Sequence, residues 1–342
     1  MTILVTGAAG YIGSHTLREL LRSNRPVVAI DSLVRGNRLN VPVGVPFEEV
    51  DVCESKGIAD VCRRHDVETV VHFAAYKSAG ESMERPDLYW HNNVYGTARL
   101  LEGMLEAGVK KLVFSSSAAV YGNPERLPID ENAIIRPENV YAETKAMAER
   151  LISWYHVTHD LGWVSLRYFN AAGASLDGSL GEDWSRTTNL IPLIMKAALG
   201  ESGPLRVLGR DYPTFDGTGI RDFVHVEDLA SAHVAAIDYL QAGGKSSTLN
   251  LGTGKGHSVL EVLRAVEDLS GLPVPHEFVA RRPGDPAVIY ADSRLAQSQL
   301  GWQARYGLDQ IIETAYRWHS KTRDLDGGAK STPDTGARPA TR

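Results

Sequence analysis

The chain has 342 residues, of which 43% are hydrophobic and 23% are charged, and its formal net charge is −6. This is the composition of an ordinary globular protein with one large core or two smaller ones. The negative charge argues against nonspecific binding to nucleic acid, which depends on clustered basic residues.

The sequence also lacks several features that would indicate a particular compartment or a metal site. The first residues run directly into a glycine-rich loop and leave no room for a signal peptide, and no apolar run reaches the ~20 residues of a membrane span. The two cysteines, Cys53 and Cys62, lack the CxxC spacing of a redox or zinc pair, and the histidines form no cluster with metal-ligand spacing. We therefore expect a cytoplasmic protein without a metal ion or a membrane partner.

Short apolar runs alternate with helical patterns from the beginning of the chain. The predicted strands are Ile3–Val5, Pro26–Ile30, Thr69–Phe73, Lys111–Ser115 and Trp163–Arg167. The predicted helices include Tyr11–Arg22, Pro86–Ala107 and Val140–Thr158. Such alternation is typical of a parallel sheet covered by helices on both faces. The pattern predicts an α/β fold with a Rossmann-type doubly wound parallel sheet, which binds its ligand at the carboxyl ends of the strands.

The alternation weakens after Asn170, where Gly and Pro become frequent. We predict that residues 1–169 form the Rossmann domain and that residues 170–320 mainly form a smaller mixed α/β region for substrate binding on the C-terminal side. The segment 222–245 is expected to return and pack on the first domain. Residues 321–342 are rich in Gly, Ser, Thr, Pro and charge, which predicts a disordered tail.

The loop after the first strand carries Gly7, Gly10 and Gly13. The absent Cβ atoms permit a tight turn and let a pyrophosphate approach the N-terminus of the next helix. A glycine pattern alone is a weak signal, and a simple packing turn is the alternative. Asp31 ends the second strand, where a carboxylate accepts the ribose hydroxyls of NAD and repels the 2′-phosphate of NADP, although it is also suited to capping a helix. Together these residues favour NAD as cofactor.

Tyr141 and Lys145 are four residues apart in a predicted helix and therefore share a face. A neighbouring ammonium favours the ionised form of a phenol, whose pKa is ordinarily near ~10, and so makes it a proton acceptor. Ser115 to Ser117 end the preceding strand and are able to relay a proton, although serines there often only cap the next turn. We predict Tyr141, Lys145 and Ser117 as the catalytic residues. A solvated helix face is the alternative for Tyr141 and Lys145.

Several further segments accompany these motifs. They are Phe73–Ser82, Asn92–Gly96, Arg167–Asn170, Asp211–His225, Asn250–Gly254 and Arg281–Asp285. With them the chain resembles, over roughly residues 1–320, the extended short-chain dehydrogenase/reductase family, and in particular its members that epimerise UDP-sugars at C4. The run Asp211–His225 is the most specific segment.

The resemblance implies an activity and an assembly. The activity is the reversible interconversion of UDP-glucose and UDP-galactose through a transient 4-keto sugar and NADH, as part of galactose metabolism. NAD is regenerated in each cycle rather than consumed. The implied assembly is a homodimer formed through the helices predicted at Pro86–Ala107 and Val140–Thr158.

The resemblance also implies the residues of the site. The implied cofactor contacts are Gly7, Gly10, Tyr11, Ile12, Gly13, Asp31, Ser32, Asp51, Val52, Phe73, Ala74, Ala75, Lys77, Asn92, Ser115, Tyr141, Lys145, Tyr168 and Phe169. The implied UDP-sugar contacts are Lys77, Ser117, Tyr141, Asn170, Asn189, Leu190, Val207, Arg221, Arg282, Asp285 and Ile289. The two arginines suit a diphosphate, although an arginine such as Arg282 is, without the resemblance, more often a solvated charge.

The chain departs from the family pattern at several positions. Val140 and Ala142 replace a common Pro and Gly beside Tyr141, which predicts an altered helix start with the reacting groups intact. Arg206 and Leu208 stand where a smaller or an aromatic residue is expected near the uridine. Ile289 occupies the position that walls the sugar's 2-substituent, and its intermediate size predicts a strong preference for UDP-glucose and UDP-galactose over N-acetylated sugars.

Other functions fit the sequence less well. A same-fold enzyme acting on UDP-pentose, UDP-uronate or UDP-N-acetylhexosamine stays open, because the sequence separates these substrates poorly. A 4,6-dehydratase needs an acidic pair after the central strand, where this chain has Ser116, Ser117 and Ala118. A nucleotide-sensing regulator without catalysis does not explain the intact catalytic residues, and a structural scaffold explains neither the glycines nor the tyrosine.

Overall fold

A computed structural model of the chain describes residues 2–185, 187–282 and 284–327. The strands are β1 (Thr2–Thr6), β2 (Val27–Asp31), β3 (Phe47–Glu49), β4 (Val67–His72), β5 (Lys111–Ser117), β6 (Gly162–Tyr168), β7 (Asn170–Ala172), β8 (Leu205–Leu208), β9 (Ile220–Arg221), β10 (Phe223–His225), β11 (Ser247–Leu251), β12 (His257–Ser258), β13 (His276–Val279) and β14 (Val288–Ile289). The helices are α1 (Tyr11–Arg22), α2 (Ser55–Arg64), α3 (Ala79–Glu84), α4 (Pro86–Tyr89), α5 (Gly96–Glu106), α6 (Val140–His159), α7 (Leu190–Ala198), α8 (Val226–Gln241), α9 (Val259–Ser270), α10 (Arg294–Leu300) and α11 (Leu308–Gly327).

Seven strands form the main sheet in the order β11-β6-β5-β4-β1-β2-β3, and every neighbouring pair is parallel. Their Val, Ile and Leu side chains are buried on both faces, as the continuous apolar runs require. Helices α1 and α8 cover one face, and α2, α5 and α6 cover the other. The predicted doubly wound sheet is confirmed.

The predicted elements are found with small changes of boundary. Helix α1 has the predicted bounds, and α6 ends one residue later than predicted. The helix predicted at Pro86–Ala107 consists of α4, a π-helical turn at Trp90–Tyr95 and α5. Strands β3 and β11 were not predicted, and both add to edges of the sheet.

Only part of the segment after Asn170 forms a second region, because several of its elements pack into the core of the first domain. Helix α8 lies on α1, and its Leu229, Ala236 and Leu240 belong to the same core as β1. Strand β11 and helix α10 also join the first core. Residues of the predicted substrate region therefore complete the Rossmann sheet.

The remaining part has a core of its own, formed by α7, α9 and α11 around the paired strands β8 and β13. Helix α11 runs through Gly327, which corrects the tail boundary predicted at residue 321; its apolar face, with Ile311 and Ala315, is buried in this core. The rest of the predicted tail, residues 328–342, lies outside the described residues. Among the helices described here, none is both long and apolar enough to cross a membrane.

Candidate active site

A cleft opens at the carboxyl ends of β1, β2 and β4, and the glycine loop forms its floor. Gly7 has a φ of 65°, and a Cβ there would lie 2.6 Å from the backbone nitrogen of Ala74. A Cβ on Gly13 would lie 2.3 Å from the carbonyl oxygen of Gly7. Both positions therefore require glycine, and the loop brings the N-terminal N–H groups of α1 to the cleft, where they suit a pyrophosphate.

Asp31 lies beside this loop at the end of β2. Its carboxylate accepts hydrogen bonds from the backbone N–H groups of Ala9, at 3.0 Å, and Leu33, at 2.8 Å. Burial raises its pKa, and these two N–H groups oppose that shift. A carboxylate has about four acceptor positions, so Asp31 both fixes the loop and retains acceptors for the hydroxyls of a ribose. The capping role and the cofactor role are compatible.

The opposite wall of the cleft comes from three other segments. The loop after β4 contributes Phe73 to Ser78, the loop after β2 contributes Arg35, and the segment before α7 contributes Glu182. Arg35 forms an ion pair with Glu81, and Lys77 forms one with Glu182; the N···O distances are 2.5 and 2.9 Å. The cleft therefore combines a glycine-rich floor with polar and charged walls, a lining that suits a dinucleotide.

The predicted catalytic residues meet at the end of β5. Asn139 caps α6 through a hydrogen bond from the N–H of Ala142 to its Oδ1, at 2.9 Å, so the helix begins at Val140 despite the departures noted there. The capped first turn carries Tyr141 to the cleft, where Ser117 hydrogen-bonds it. Ser117 Oγ also accepts the N–H of Ala119, at 3.2 Å, so it caps the following turn as well.

Lys145 does not act on Tyr141 in the way the spacing predicts. Its Nζ donates to the carbonyl oxygen of Ser115, at 2.8 Å, and burial lowers its pKa to about 7, against a rise from Glu149. Burial raises the pKa of Tyr141, and the hydrogen bond with Ser117 only partly offsets this. The expected lowering of the phenol's pKa is therefore wrong for the protein alone, because desolvation outweighs the neighbouring groups.

Glu149 lies one helical turn after Lys145 and forms a buried ion pair with Arg167 on β6. Arg167 Nε and Nη2 donate to the two carboxylate oxygens at 2.9 and 2.5 Å, and Ser116 Oγ donates at 2.6 Å. The side chains of Arg167 and Glu149 are 8% and 10% exposed. The bidentate pair and the bond from Ser116 fix α6 to β5 and β6, and they place a negative charge near Lys145.

A second buried network connects the cofactor loops to the same helix. Asn93, in the π-helical turn, donates to the carbonyl of Tyr76 at 3.0 Å and accepts its N–H at 2.9 Å. The amide of Asn93 also donates to Thr144 Oγ1 on α6, at 3.1 Å. Asn93 thus connects the loop after β4 to helix α6.

The predicted sugar-binding residues are joined to the cleft by backbone pairing. Tyr168 lines the cleft, and two residues later the N–H of Asn170 donates to the carbonyl of Asp222, at 2.9 Å. Arg221 pairs in register with Ile289 across the parallel strands β9 and β14. Burial lowers the pKa of Arg221, as does the nearby Arg282, while Asp285 raises it. Two arginines held close together suit a doubly charged phosphate ligand.

Comparison with known proteins identifies the family. The model of the NAD dependent epimerase/dehydratase family matches residues 3–252, which is more than half of the chain. The chain belongs to this family.

Its relatives include proteins of known structure and name. The UDP-glucose 4-epimerase of Lacticaseibacillus casei is 45% identical over 320 residues, covering 93% of this chain and 97% of that protein. The UDP-glucose 4-epimerase of Stenotrophomonas maltophila, with bound NAD and formylated UDP-arabinopyranose, has a TM-score of 0.92 at 42% identity, covering 95% of this chain and 99% of that one. The UDP-Glc/GlcNAc 4-epimerase of Campylobacter jejuni has a TM-score of 0.82 at 37% identity, covering 94% and 99%.

Most of the predicted cofactor contacts line one cleft in this epimerase-family protein. They are Gly7, Gly10, Tyr11, Ile12, Gly13, Asp31, Ser32, Val52, Phe73, Ala74, Ala75, Lys77, Asn92, Ser115, Tyr141, Lys145 and Tyr168. Asp51 and Phe169 are not among the lining residues. The carboxylate of Asp51 accepts the N–H of Cys53, at 2.8 Å, and the side chain of Phe169 is buried in the core. Val50 lines the cleft in the place expected for Asp51.

The predicted substrate residues lie in several parts of the structure. Lys77 and Tyr141 line the cofactor cleft, whereas Arg221, Arg282, Asp285 and Ile289 lie on or beside the strands β9 and β14. Leu190 begins α7 and Asn189 precedes it. The side chain of Val207 is buried in the second core, and its backbone pairs in register with Phe278 across β8 and β13. Arg206, the unexpected neighbour, is exposed and faces Glu277.

Several residues of the site were not predicted. Asn40, Arg35 and Glu182 line the cleft, and Asn93 and Glu149 support it from behind. Asn93 follows the predicted Asn92 directly in the sequence, and this adjacency was the only sequence feature that could have indicated a role for Asn93. Among the described residues there is no group of three or more His, Cys, Asp or Glu side chains that could hold a metal ion.

Proposed function

We propose that this protein is an NAD-dependent UDP-glucose 4-epimerase, which interconverts UDP-glucose and UDP-galactose in galactose metabolism. The observation that carries the proposal is that Tyr141 lines the cofactor cleft and is hydrogen-bonded by Ser117, while Lys145, which also lines the cleft, is fixed to the strand that carries Ser117. The relatives named above, similar over almost the whole chain, support the same activity.

The residues divide the reaction among them. Tyr141 takes the proton of the sugar 4-hydroxyl, with Ser117 bridging the two oxygens, as the C4–H bond breaks and the C4 carbonyl forms. The chemistry that NAD supplies when bound is reversible acceptance of the C4 hydride, and its positive nicotinamide favours the Tyr141 phenolate that burial disfavours. The 4-keto sugar then turns about the diphosphate linkage, the C4–H bond re-forms on the opposite face by return of the hydride, and Tyr141 returns the proton to the C4 oxygen to give the inverted alcohol.

Arg221 and Arg282 hold the diphosphate during that turn. The two positive charges repel each other when no anion lies between them, and the nearby carboxylate of Asp285 reduces this repulsion. A diphosphate between the two guanidinium groups removes the repulsion and leaves the sugar as the mobile end of the ligand. Anchoring one end while the other rotates is what inversion at C4 requires.

Ile289 bears on which sugar is accepted. Because it is in register with Arg221 on a parallel strand, both side chains project to the same face. A branched side chain beside the diphosphate site leaves limited room for a 2-acetamido group. The alternative function is a same-fold 4-epimerase acting mainly on UDP-pentose, UDP-uronate or UDP-N-acetylhexosamine.

We also propose that the protein is a homodimer in the cytoplasm. Met147, Trp154 and Val157 form an exposed apolar stripe on α6, and Trp154 and Val157 are 60% and 70% exposed. Tyr95 adds to this apolar surface near the start of α5.

Both cysteines are free thiols, as in a reducing compartment. Sedimentation of Trp154→Glu, with Val43→Glu as an exposed control elsewhere, tests the dimer, and cell fractionation tests the compartment.

The activity is tested by incubating the purified protein with a panel of nucleotide sugars and identifying the products by chromatography. The proposal predicts that UDP-glucose and UDP-galactose interconvert faster than UDP-pentoses, UDP-uronates and N-acetylated sugars. Faster conversion of one of the other sugars would establish the alternative, and no conversion of any sugar would overturn the epimerase assignment.

A further inference from the structure

Glu182 is a buried carboxylate in the wall of the cofactor cleft. Its exposed fraction is 6%, and it lines the same cleft as Gly10 and Tyr11 of the glycine loop. The dinucleotide and the UDP-sugar each carry a diphosphate, which a neighbouring carboxylate repels. A carboxylate at this position needs a structural reason.

Three side-chain donors from two sides converge on Glu182. Lys77 Nζ donates to its carboxylate at 2.9 Å, Thr187 Oγ1 at 3.0 Å, and Asn189 Nδ2 at 2.8 Å. Lys77 comes from the loop after β4, within the first domain, whereas Thr187 and Asn189 come from the segment that leads into α7. The carboxylate therefore connects the two parts of the chain across the cleft.

The backbone around Glu182 is held from behind. The indole Nε1 of Trp318, on α11, donates to the carbonyl oxygen of Glu182 at 3.1 Å. A Cβ on Gly181 would lie 2.4 Å from the ring of Trp318, so the backbone packs directly on the indole. This fixes the carboxylate to the second region, and Lys77 is the partner that reaches over from the cofactor side.

The Lys77–Glu182 pair lies over the glycine loop. Lys77 Nζ is 5.8 Å from the centre of the Tyr11 ring, and Tyr11 begins α1. We propose that Glu182 is a positioning residue whose ion pair with Lys77 clasps the second region onto the cofactor domain and slows the release of NAD. This inference rests on the proposed function, in which the cofactor must stay in place while the 4-keto sugar turns.

The clasp is tested by the release rate of NAD, independently of epimerase activity. The loaded protein is diluted into excess alcohol dehydrogenase and ethanol, so that released NAD is reduced and read by absorbance. Glu182→Gln keeps the size of the side chain and removes its charge, and Asp183→Asn is the matched control. Asp183 is exposed, lines the same cleft and accepts the N–H of Ser185 at 2.8 Å rather than bridging the cleft.

We expect release of NAD to become about tenfold faster in Glu182→Gln. The Glu182 side chain of the ion pair is buried, whereas the Lys77 side chain is half-exposed, which limits the effect. Asp183→Asn should release NAD within twofold of the parent rate. Lys77→Met breaks the same pair from the other side, and the double variant should be no faster than the faster single variant. The parent should also release NAD faster at high salt, and Glu182→Gln should lose that dependence.

Release within twofold of the parent in both single variants would overturn the clasp, whatever the epimerase activity. Additive acceleration in the double variant would also overturn it, because it would show that the two side chains act separately. Absence of epimerase activity together with the expected release rates would instead remove the proposed function and leave the clasp standing.

Discussion

Replacing Glu149 by Gln tests how the buried network behind the catalytic helix supports it. The substitution removes one charge of an ion pair whose members are 8% and 10% exposed, and it leaves the Arg167 guanidinium buried without a counter-charge. Breaking such a pair costs about 3–5 kcal/mol, and the lower end applies because Gln still accepts hydrogen bonds from Ser116 and Arg167. At about 2 °C for each kcal/mol in a large chain, the Tm should fall by about 6 °C.

The same substitution should move the pH dependence of the reaction. Burial holds the pKa of Lys145 at about 7, and Glu149 opposes that lowering. Without Glu149 the pKa of Lys145 falls further, so the ammonium that donates to the Ser115 carbonyl in the cleft is lost at lower pH. The alkaline limb of kcat/KM should therefore shift toward acid pH.

The assays are thermal unfolding and a pH profile of kcat/KM, with Glu143→Gln as the control. Glu143 is an exposed residue of the same helix, and its replacement should change the Tm by less than about 2 °C. A Tm for Glu149→Gln within 1 °C of the parent, by the ~2 °C per kcal/mol used above, together with an unmoved alkaline limb, would refute the reasoning.

Three further substitutions probe the cleft. Tyr141→Phe should lower turnover by ~10² or more with the fold and NAD content retained, and activity within about threefold of the parent would remove Tyr141 as the base. Asp31→Ala should weaken NAD and relax the rejection of NADP in binding titrations, whereas Asp31→Asn, which keeps one acceptor, should relax the rejection with less loss of NAD. Ile289→Ser should raise the efficiency with UDP-N-acetylglucosamine relative to UDP-glucose, while Val288→Ser, on the opposite face of the strand, should leave the ratio unchanged.

Local patterns predicted the fold well because they are set by burial and capping. The five predicted strands are continuous apolar runs, and α1 and α6 begin where Gly10 and Asn139 allow. Strand β3 is only Phe47–Glu49 and lacks an apolar run. Strand β11 is recognisable only through its pairing with β6, a partner about eighty residues away whose position no local pattern encodes.

Site residues could be predicted from the sequence where a particular residue type is needed for a particular chemical task. The glycines, Asp31 and Tyr141 line the cleft, and Ser117 hydrogen-bonds Tyr141. Glu182 and Glu149 were not predictable, because each is defined by partners that only folding brings close, Lys77 and Arg167. The pKa of Tyr141 was predicted in the wrong direction because helical spacing shows proximity and does not show burial.

The central claim is that C4 is inverted by removing and returning the same hydrogen within one closed site. The most direct measurement uses UDP-galactose carrying deuterium at C4, converted by the purified protein in ordinary water and analysed by NMR and mass spectrometry. We expect UDP-glucose that keeps the deuterium at C4, and the converse experiment with unlabelled substrate in heavy water should give no deuterium there. Loss of the label to water, or formation of a product other than UDP-glucose, would contradict the account.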